Sequence, residues 1–525
     1  MTHREKSARD ALAEIEAARA ELMDEARPLA VEKLHARGRL TARERIARLV
    51  DADSFEEIGG FAADEVPRGA EPARRRAPAD GAVVGTARVD GRPIALVSQD
   101  FSVYGGSIGS LGSDKIHRIL QVAIRRGMPM VMLLDGGGHR IQGGQNSRHF
   151  AHANTMFHDL ARASGWIPMV ALMLGAGFAG PTNYAGLADF VVMVRGLSTM
   201  GLAGPALVKA GTGEDIDALQ LGGAEVQVDK QGIADLGVAN EEEAFAAARR
   251  FLSFLPANAR APAALTPTDD PSDRADELLL DIVPASPRGV FDVRKVVASV
   301  ADRDSVFELK PTFAANIVTS FARLAGRPVG FVANQSRRRG GMLDSNACDK
   351  MAHFIALCDA FGLPLISLID IPGFYIGSSA EGQSLGRRSA KLIYEWGHAS
   401  VPRISVVLRK GYGLGYFAMN GGRAFAAEAC FAWPSAEICP MSIEGAIDVA
   451  FRKEYLAAPD PQKRRQEMIE ETRAVTGALS AAEGFGIDDV IDPRSTRRRL
   501  IEILAQAPER HPEDHPPKYR SIAPI

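Results

Sequence analysis

The chain has 525 residues, more than one ordinary hydrophobic core organises, so we expect about two to four domains. Its formal net charge is −3 at pH 7, with 24% charged residues, so no overall field favours nucleic acid or an anionic membrane. No apolar run is long enough to span a bilayer.

The N-terminal stretch, MTHREKSARDALAEIEAARAELMDEARPL, is rich in acidic residues and lacks an apolar segment. We therefore expect neither a secretory signal nor a transit peptide. The chain has four cysteines, none in a CxxC pair, at Cys348, Cys358, Cys430 and Cys439. This pattern indicates no zinc cluster or disulfide framework and favours a reducing compartment. We expect a cytoplasmic protein without a metal site.

The chain contains two copies of one segment. GRPIALVSQDFSVYGG, from Gly91, returns 235 residues later as GRPVGFVANQSRRRGG, from Gly326. The register holds without a gap, so that Asp135 corresponds to Asp370 and Gly180 to Gly415. We predict two tandem α/β domains related by this internal repeat, at 1–260 and 291–525. A segment rich in Pro, Ala and Asp predicts a linker at 261–290.

The predicted elements follow the same order in each copy. A β-rich start leads through a glycine turn to a helix, DKIHRILQVAIRRG in the first copy. A buried strand comes next, PMVMLLD or PLISLID, followed by a glycine loop and another helix. A further buried strand, IPMVALML or RISVVLR, ends in a second glycine loop. Continuous apolar strands that alternate with helices predict an α/β layer fold with a sheet covered on both faces.

Each copy therefore carries two glycine-rich loops at strand ends, 135–144 with 176–180 and 370–377 with 411–415. A strand that ends in glycine and turns into a helix leaves backbone N–H groups unpaired. Two such loops side by side can direct two donors at one oxygen and stabilise an oxyanion, such as a thioester enolate. The alternative is that the glycines only permit tight turns. The identical placement of the loops in two copies favours the oxyanion hypothesis.

Side chains offer no convincing catalyst, because GxSxG and HExxH patterns are absent. His139, in DGGGHRIQGG, could act as a base or could be a packing residue. The cluster Arg337–Arg339 could hold a carboxylate or phosphate, or form a solvated loop face. The basic helical stretch 33–49 could meet phosphates, or be a surface or subunit-contact helix.

Several segments carry a resemblance to a known family: HARGRLTARERIARLVDADSFEEI, SQDFSVYGGSIG, DGGGHRIQGG, LGGAEVQVDKQGIAD, IDIPGF, VLRKGYGLGY and AWPSAE…EGA. Together they resemble the carboxyltransferase (β) subunits of biotin-dependent acyl-CoA carboxylases, such as propionyl-CoA carboxylase β, over nearly the whole chain. The resemblance implies two crotonase-like domains (ClpP/crotonase superfamily) and a ring-shaped homohexamer. In this family the active site lies between the N-terminal domain of one subunit and the C-terminal domain of another.

The resemblance implies transfer of a carboxyl group from carboxybiotin to the α-carbon of an acyl-CoA. Biotin would be carried by a separate subunit, so the implied partners are a biotin carboxylase and a biotin carboxyl carrier. The residues that would line an acyl-CoA oxyanion hole are Gly137, Gly138, Ala179 and Gly180, with His139 and Phe178 beside the acyl-CoA. The residues that would line a biotin hole are Gly373, Phe374, Leu414 and Gly415, with Tyr416 and Phe417 beside the biotin. The predicted catalytic residues among these are Ala179, Gly180, Leu414 and Gly415.

Some positions depart from the family pattern. Where the family usually reads SGGARIQEG, CAGGA and RKAYGGAYD, this chain reads GGGHRIQGG, GFAGP and RKGYGLGYF. Pro181 has no N–H to donate, and Leu414 adds a side chain on the biotin path. Phe417 replaces an aspartate that helps set acyl-chain choice in the family. An apolar residue there favours a bulkier or more apolar acyl group.

The chain lacks the Met-Lys-Met pattern usual for biotin attachment, which is why a separate biotinylated carrier is expected. Two alternatives stay open beside the carboxylase subunit. One is a decarboxylase subunit, which would run the reverse chemistry through the same holes. The other is a non-catalytic paralogue that scaffolds a carboxylase complex, and the altered loops motivate it.

Overall fold

The computed structural model describes residues 7–63, 78–140, 156–510 and 520–523. The chain divides into two compact units, Met1–Ser253 and Phe254–Ala523. The range predicted as a linker, 261–290, lies in the second unit and contains the short helix Leu278–Asp281. In the described ranges, no helix has the length and apolar character needed to cross a membrane.

The first unit is built on a seven-stranded mixed sheet. Its strands pair in chain order, antiparallel through the third strand and parallel after it. These strands are Glu56–Glu57, Ala82–Val89, Arg92–Gln99, Met130–Leu134, Met169–Met173, Phe190–Val194 and Leu236–Val238. A separate parallel pair joins Ala176–Phe178 to Thr199–Gly201. The parallel strands Met130–Leu134 and Met169–Met173 are buried along their whole length, as their unbroken apolar sequences predict.

The longest helix of the first unit, Ser110–Arg126, packs an apolar face against this sheet. In Ser110–Arg126, the buried positions Ile116, Ile119, Leu120 and Ala123 recur at helical spacing. That helix ends at Gly127, whose φ of 60° is a left-handed conformation that glycine adopts readily. The helices are Ala8–Ala20, Pro28–His35, Ala42–Leu49, Ser110–Arg126, Met156–Ala163, Gly180–Gly186, Pro205–Thr212, Ala218–Gly222 and Glu241–Phe254, with a π-helical turn at Glu225–Lys230.

The second unit repeats the architecture on an eight-stranded sheet. Seven strands follow one path, and Glu437–Cys439 pairs beside the end of Arg403–Tyr412. The path runs Phe307–Leu309, Ile317–Leu324, Arg327–Asn334, Leu365–Ile371, Arg403–Tyr412, Ala429–Ala432 and Asp489–Val490. The helices are Leu278–Asp281, Val293–Val300, Ser345–Ala360, Ser378–Gly382, Leu385–His398, Gly413–Ala418, Ile443–Ala450, Arg452–Leu456, Pro461–Ala474, Ala478–Glu483 and Thr496–Gln506.

The internal repeat predicted from the sequence is confirmed in the element bounds. The hairpin strand Ala82–Val89 corresponds to Ile317–Leu324, at the same separation of 235 residues that relates Gly91 and Gly326. The strand Arg92–Gln99 corresponds in the same way to Arg327–Asn334. Each copy thus places its buried parallel strands, and the loops at their ends, in the same order.

A buried lysine lies at the same position in each copy. The ammonium of Lys115 donates to the carbonyls of Ala79 and Ala82, and the residue is only 7% exposed. Burial lowers the pKa of Lys115 to about 8. The ammonium of Lys350, which is 1% exposed, donates to carbonyls of the equivalent hairpin. Those carbonyls belong to Lys310, Phe313, Ala314 and Ile317.

Two buried carboxylates join neighbouring strands of the first sheet. Asp189 accepts a hydrogen bond from the Met169 N–H, and Asp235 accepts one from the Val191 N–H, both at 2.8 Å. Complete burial, with a smaller contribution from the charge of Asp235, raises the pKa of Asp189 to about 8. The Asp189 carboxyl is therefore held mainly in its protonated form at pH 7.

Candidate functional site

The two glycine loops of the first unit come together. A Cβ placed on Gly138 would lie 3.0 Å from the Cβ of Ala179 and 3.5 Å from the amide nitrogen of Gly180. Gly137 faces open space, because a Cβ there would meet no atom within 4 Å. We name Gly137, Gly138, Ala179 and Gly180 the first glycine site. The sequence placed these residues on separate strand ends, and the structure brings the two loops close together.

The amides of the first glycine site are not equivalent. Ala179 has a φ of 66°, and its N–H donates to the Gly201 carbonyl at 2.8 Å. Among the described residues we find no acceptor for the N–H groups of Gly138 and Gly180. Gly180 starts the helix Gly180–Gly186, where the first amides lack intrahelical acceptors. The amides of Gly138 and Gly180 are thus the available donors, with Pro181 offering none.

A buried carboxylate lies at the start of the first glycine loop. Asp135 follows the strand Met130–Leu134 and is fully buried, where it pairs with the guanidinium groups of Arg39 and Arg45. Arg45 also pairs with Glu241 at 2.6 Å. Gly175 lies against this carboxylate, since a Cβ there would be 2.0 Å from the Asp135 Oδ1. These two arginines belong to the basic stretch 33–49, and the structure turns them inward.

The two glycine loops of the second unit also come together. A Cβ on Gly415 would lie 3.1 Å from the Cα of Gly373 and 2.8 Å from the Cδ1 of Ile371. A Cβ on Gly373, which has a φ of 131°, would meet no atom within 4 Å. Within the described part of the chain, the amides of Phe374, Leu414 and Gly415 show no acceptor. We name Gly373, Phe374, Leu414 and Gly415 the second glycine site.

The second site also rests on a buried carboxylate. Asp370 is fully buried and accepts hydrogen bonds from Arg409 at 2.8 and 3.1 Å. The Lys410 N–H adds a third, longer contact at 3.2 Å. Asp370 occupies the position that Asp135 has in the first copy. In both units an arginine–carboxylate pair therefore fixes the end of the strand from which the glycine loop leaves.

The side chains around the second site divide between surface and core. Leu414 is 55% exposed and Phe417 is 46% exposed, so both present apolar surface beside the loops. Tyr416, predicted beside biotin, is only 6% exposed, and its hydroxyl lies 3.8 Å from the Cys430 Sγ. Burial raises the pKa of Tyr416. The Tyr416 side chain thus packs in the core of the second unit.

The side chains predicted beside the first site are both partly buried. The Phe178 ring lies over glycines: Cβ atoms on Gly201, Gly204 and Gly222 would be 3.1, 3.5 and 3.2 Å from it. His139 forms an isolated parallel bridge with Ile108. The rest of the predicted loop, 141–144, lies outside the described residues.

The arginines of the cluster Arg337–Arg339 have carboxylate neighbours. Arg337 lies 3.6 Å from Asp292, and Arg339 lies 2.7 Å from Asp344. Two of the three arginine charges are thus paired with carboxylates of the protein itself. Across the described ranges, no group of three or more His, Cys, Asp or Glu side chains could hold a metal ion.

Residues 33–522 match the carboxyl transferase domain family. This chain belongs to that family. The methylmalonyl-CoA carboxyltransferase 12S subunit of Propionibacterium freudenreichii subsp. shermanii is 41% identical over 478 residues, 90% of each chain. The biotin-dependent acetyl-/propionyl-coenzyme A carboxylase beta5 subunit of Mycobacterium tuberculosis (strain CDC 1551 / Oshkosh) is 36% identical, covering 98% of this chain and 95% of its own.

Among solved structures, the carboxyltransferase resembles the transcarboxylase 12S hexamer crystallised with methylmalonyl-coenzyme A and methylmalonic acid. The TM-score is 0.90 with 38% identity, over 100% of both chains. The crotonase-like fold in two tandem copies and the enzyme class predicted from the sequence are thereby confirmed. The roles of the individual site residues stay predictions.

Proposed function

We propose that this carboxyltransferase moves a carboxyl group from carboxybiotin, carried on a separate subunit, to the α-carbon of an acyl-CoA. The observation that carries the proposal is the duplicated glycine site. The loops are so close that a Cβ on Gly138 would lie 3.5 Å from the Gly180 nitrogen, and one on Gly415 would lie 3.1 Å from the Gly373 Cα. Within the described residues, both sites have amides without an acceptor. Two sites at equivalent positions of the repeat fit a reaction in which two carbonyl oxygens acquire negative charge.

In this proposal the first glycine site holds the thioester oxygen of the acyl-CoA. The α-proton would pass to the ureido nitrogen of biotin once that nitrogen has lost its carboxyl group, and the negative charge of the enolate then collects on the thioester oxygen. The amides of Gly138 and Gly180 would donate to it, while Ala179 fixes the turn through its bond to Gly201. Preorganised donors of this kind lower a barrier by about 3–4 kcal/mol each. Because biotin would take the proton, the scheme requires no side-chain base, in keeping with the lack of one in the sequence.

The second glycine site would hold the ureido oxygen of biotin. The open space beside Gly373 fits a ring placed against the backbone, and the exposed Leu414 and Phe417 would flank it. Bound carboxybiotin supplies the activated carboxyl group. The amides of Leu414 and Gly415 would donate to the ureido oxygen and so stabilise the charge left after carboxyl loss. Tyr416 would act from the core, by supporting the helix Gly413–Ala418.

We further propose that the protein works as a homohexamer with biotin carboxylase and biotin carboxyl carrier subunits. Support comes from the hexamer assembly of the transcarboxylase 12S structure and from the biotin dependence of the mycobacterial relative. The exposed Phe417 favours an acyl group larger or more apolar than propionyl. A hydrocarbon chain gains free energy by leaving water to pack against a phenyl ring, whereas an aspartate at this position would lose hydration.

The test is carboxyl exchange by the purified chain. Malonyl-, methylmalonyl- and longer α-carboxyacyl-CoAs are each supplied with free biotin, and the decarboxylated acyl-CoA is followed by mass spectrometry. Turnover is the expected result, with methylmalonyl-CoA accepted and longer chains preferred. Assay with the biotin carrier and an ATP-driven carboxylase then gives the direction. Thioester binding without turnover across the panel, with the carrier also present, would refute the proposal in favour of a scaffold.

A further inference from the structure

An arginine lies over a tyrosine ring beside each glycine site, with the two residues exchanged between the copies. In the first unit the guanidinium carbon of Arg140 lies 5.0 Å from the centroid of the Tyr104 ring. In the second unit that of Arg339 lies 5.3 Å from the centroid of the Tyr375 ring. Position 104 corresponds to 339, and position 140 to 375, in the repeat of 235 residues. The contact is thus kept while its partners change places.

The backbone around the two contacts is the same. Tyr104 and Arg339 each start a tight turn, and both have a φ of 49°. Two hydrogen bonds then tie each turn to its glycine loop. In the first unit the Ile108 N–H donates to the Gly138 carbonyl at 3.0 Å, and the Arg140 N–H donates to the Ile108 carbonyl at 2.9 Å.

The second unit has the same two bonds. The Leu343 N–H donates to the Gly373 carbonyl at 3.2 Å, and the Tyr375 N–H donates to the Leu343 carbonyl at 2.8 Å. In each unit the arginine–tyrosine contact adds a side-chain interaction between the same turn and the same glycine loop. A shift of the turn would therefore move Gly138 in one unit and Gly373 in the other.

The two contacts differ in their surroundings. The Arg140 side chain is 6% exposed and pairs with the fully buried Asp80, while it also donates to the Ser107 carbonyl at 3.0 Å. The Arg339 side chain is 57% exposed and pairs with Asp344 at 2.7 Å. Substituting Arg140 would leave a buried carboxylate unpaired. Tyr104 and Tyr375 can be changed without that consequence, whereas changing Arg339 also removes its ion pair with Asp344, whose side chain is 13% exposed.

We propose that the arginine–tyrosine pairs are positioning groups, each of which sets the donor geometry of the glycine site in its own unit. This inference rests on the proposed function. Arg140 would position the first glycine site for the acyl-CoA thioester through Gly138. Tyr375 would position the second site for biotin through Gly373 and Phe374. Displacements well below 1 Å at such donors change rates measurably, since about 1 Å costs about a hundredfold.

The decisive experiment is an exchange of partners in the second unit. Arg339→Tyr, Tyr375→Arg and the double variant are compared in the full-length protein, with methylmalonyl-CoA and free biotin varied independently. A cation–π contact at an exposed site corresponds to about a 2- to 5-fold effect. We expect each single variant to raise the KM for biotin by about that factor. The double variant restores the contact in the arrangement of the first unit and should recover most of the loss.

The matched variant in the first unit is Tyr104→Leu, which removes the ring and keeps the Arg140–Asp80 pair. We expect it to raise the KM for methylmalonyl-CoA by a similar factor and to leave the KM for biotin unchanged. A general structural defect would move both KM values and the thermal unfolding temperature together. Equal effects on both substrates, or a double variant as impaired as its parents, would overturn the inference.

The same measurements separate this inference from the proposed function. Wild-type protein that neither binds acyl-CoA nor exchanges carboxyl groups would overturn the function, and the inference with it. Wild-type protein that turns over normally, with variants that show no substrate selectivity, would overturn only the positioning role. Calorimetric binding of methylmalonyl-CoA to Tyr104→Leu gives a readout that does not depend on turnover.

Discussion

Replacing Gly415 by proline tests whether a backbone N–H in the second glycine site supports carboxyl transfer. Gly415 lies in the first turn of Gly413–Ala418, where a proline removes no intrahelical hydrogen bond. The substitution deletes one donor of the proposed hole, and such a loss costs about 3–4 kcal/mol, or about 10²- to 10³-fold in rate. We therefore expect carboxyl exchange to fall by that factor while the affinity for acyl-CoA stays unchanged.

The control is Gly415→Ala, which adds the same Cβ and keeps the N–H. That Cβ would lie 2.8 Å from the movable Cδ1 of Ile371 and 3.1 Å from the Cα of Gly373, so a small shift is needed. Overpacking of this kind costs about 1–3 kcal/mol of stability. Because the shift moves a residue of the site, we expect exchange to fall about tenfold, which is less than for the proline variant. Initial rates with saturating methylmalonyl-CoA and varied biotin measure the difference. Equal losses in the two variants would refute the role of the N–H.

Three further predictions concern the first site and the scaffold. Gly138→Ala should weaken acyl-CoA binding about tenfold or more, because its Cβ would lie 3.0 Å from the Cβ of Ala179; calorimetry measures this, with Gly211→Ala, which meets nothing within 4 Å, as the control. Asp370→Ala should lower the free energy of unfolding by about 3–5 kcal/mol, because it leaves Arg409 buried without its carboxylate. Urea unfolding measures the loss, and a value below about 1 kcal/mol would contradict the prediction. Asp189→Asn should raise the thermal unfolding temperature, by an amount that grows from about pH 4 to pH 8. The pKa of Asp189 is about 8 in the folded protein against an ordinary value of 3.8, so its stabilisation is complete below the lower value and is lost as pH rises through the higher one. A difference in unfolding temperature that does not change with pH would refute this prediction.

The order of elements and the pairing of the glycine loops could be predicted because both follow from patterns that are visible in the sequence. Apolar runs mark the buried strands, and the uninterrupted repeat shows that Gly180 and Gly415 occupy equivalent positions. Parallel strands bring their carboxyl ends to one edge of a sheet, so loops at neighbouring ends meet. The close approach of the loop of Gly138 to Gly180, and of the loop of Gly373 to Gly415, follows from that geometry.

The details that sequence reasoning missed depend on distant partners. The Ala179 N–H is taken by Gly201 because Ala176–Phe178 pairs with Thr199–Gly201, and such short strands carry no clear periodicity. Arg45 turns inward to Asp135, a residue 90 positions away. The burial of Tyr416 depends on which way a six-residue helix faces, and one turn of sequence is too short to show an apolar face.

The buried lysines of the two hairpins have a consequence for an enzyme that handles activated thioesters. A neutral amine is acylated by such compounds to give a stable amide, and the lowered pKa of Lys115 would make it reactive if it were accessible. Its 7% exposure, and the 1% exposure of Lys350, keep both amines from reagents in solution. The backbone carbonyls that surround them also occupy their protons. The two amines thus hold the backbone through hydrogen bonds, and their burial protects them from acylation by the acyl-CoA that the protein binds.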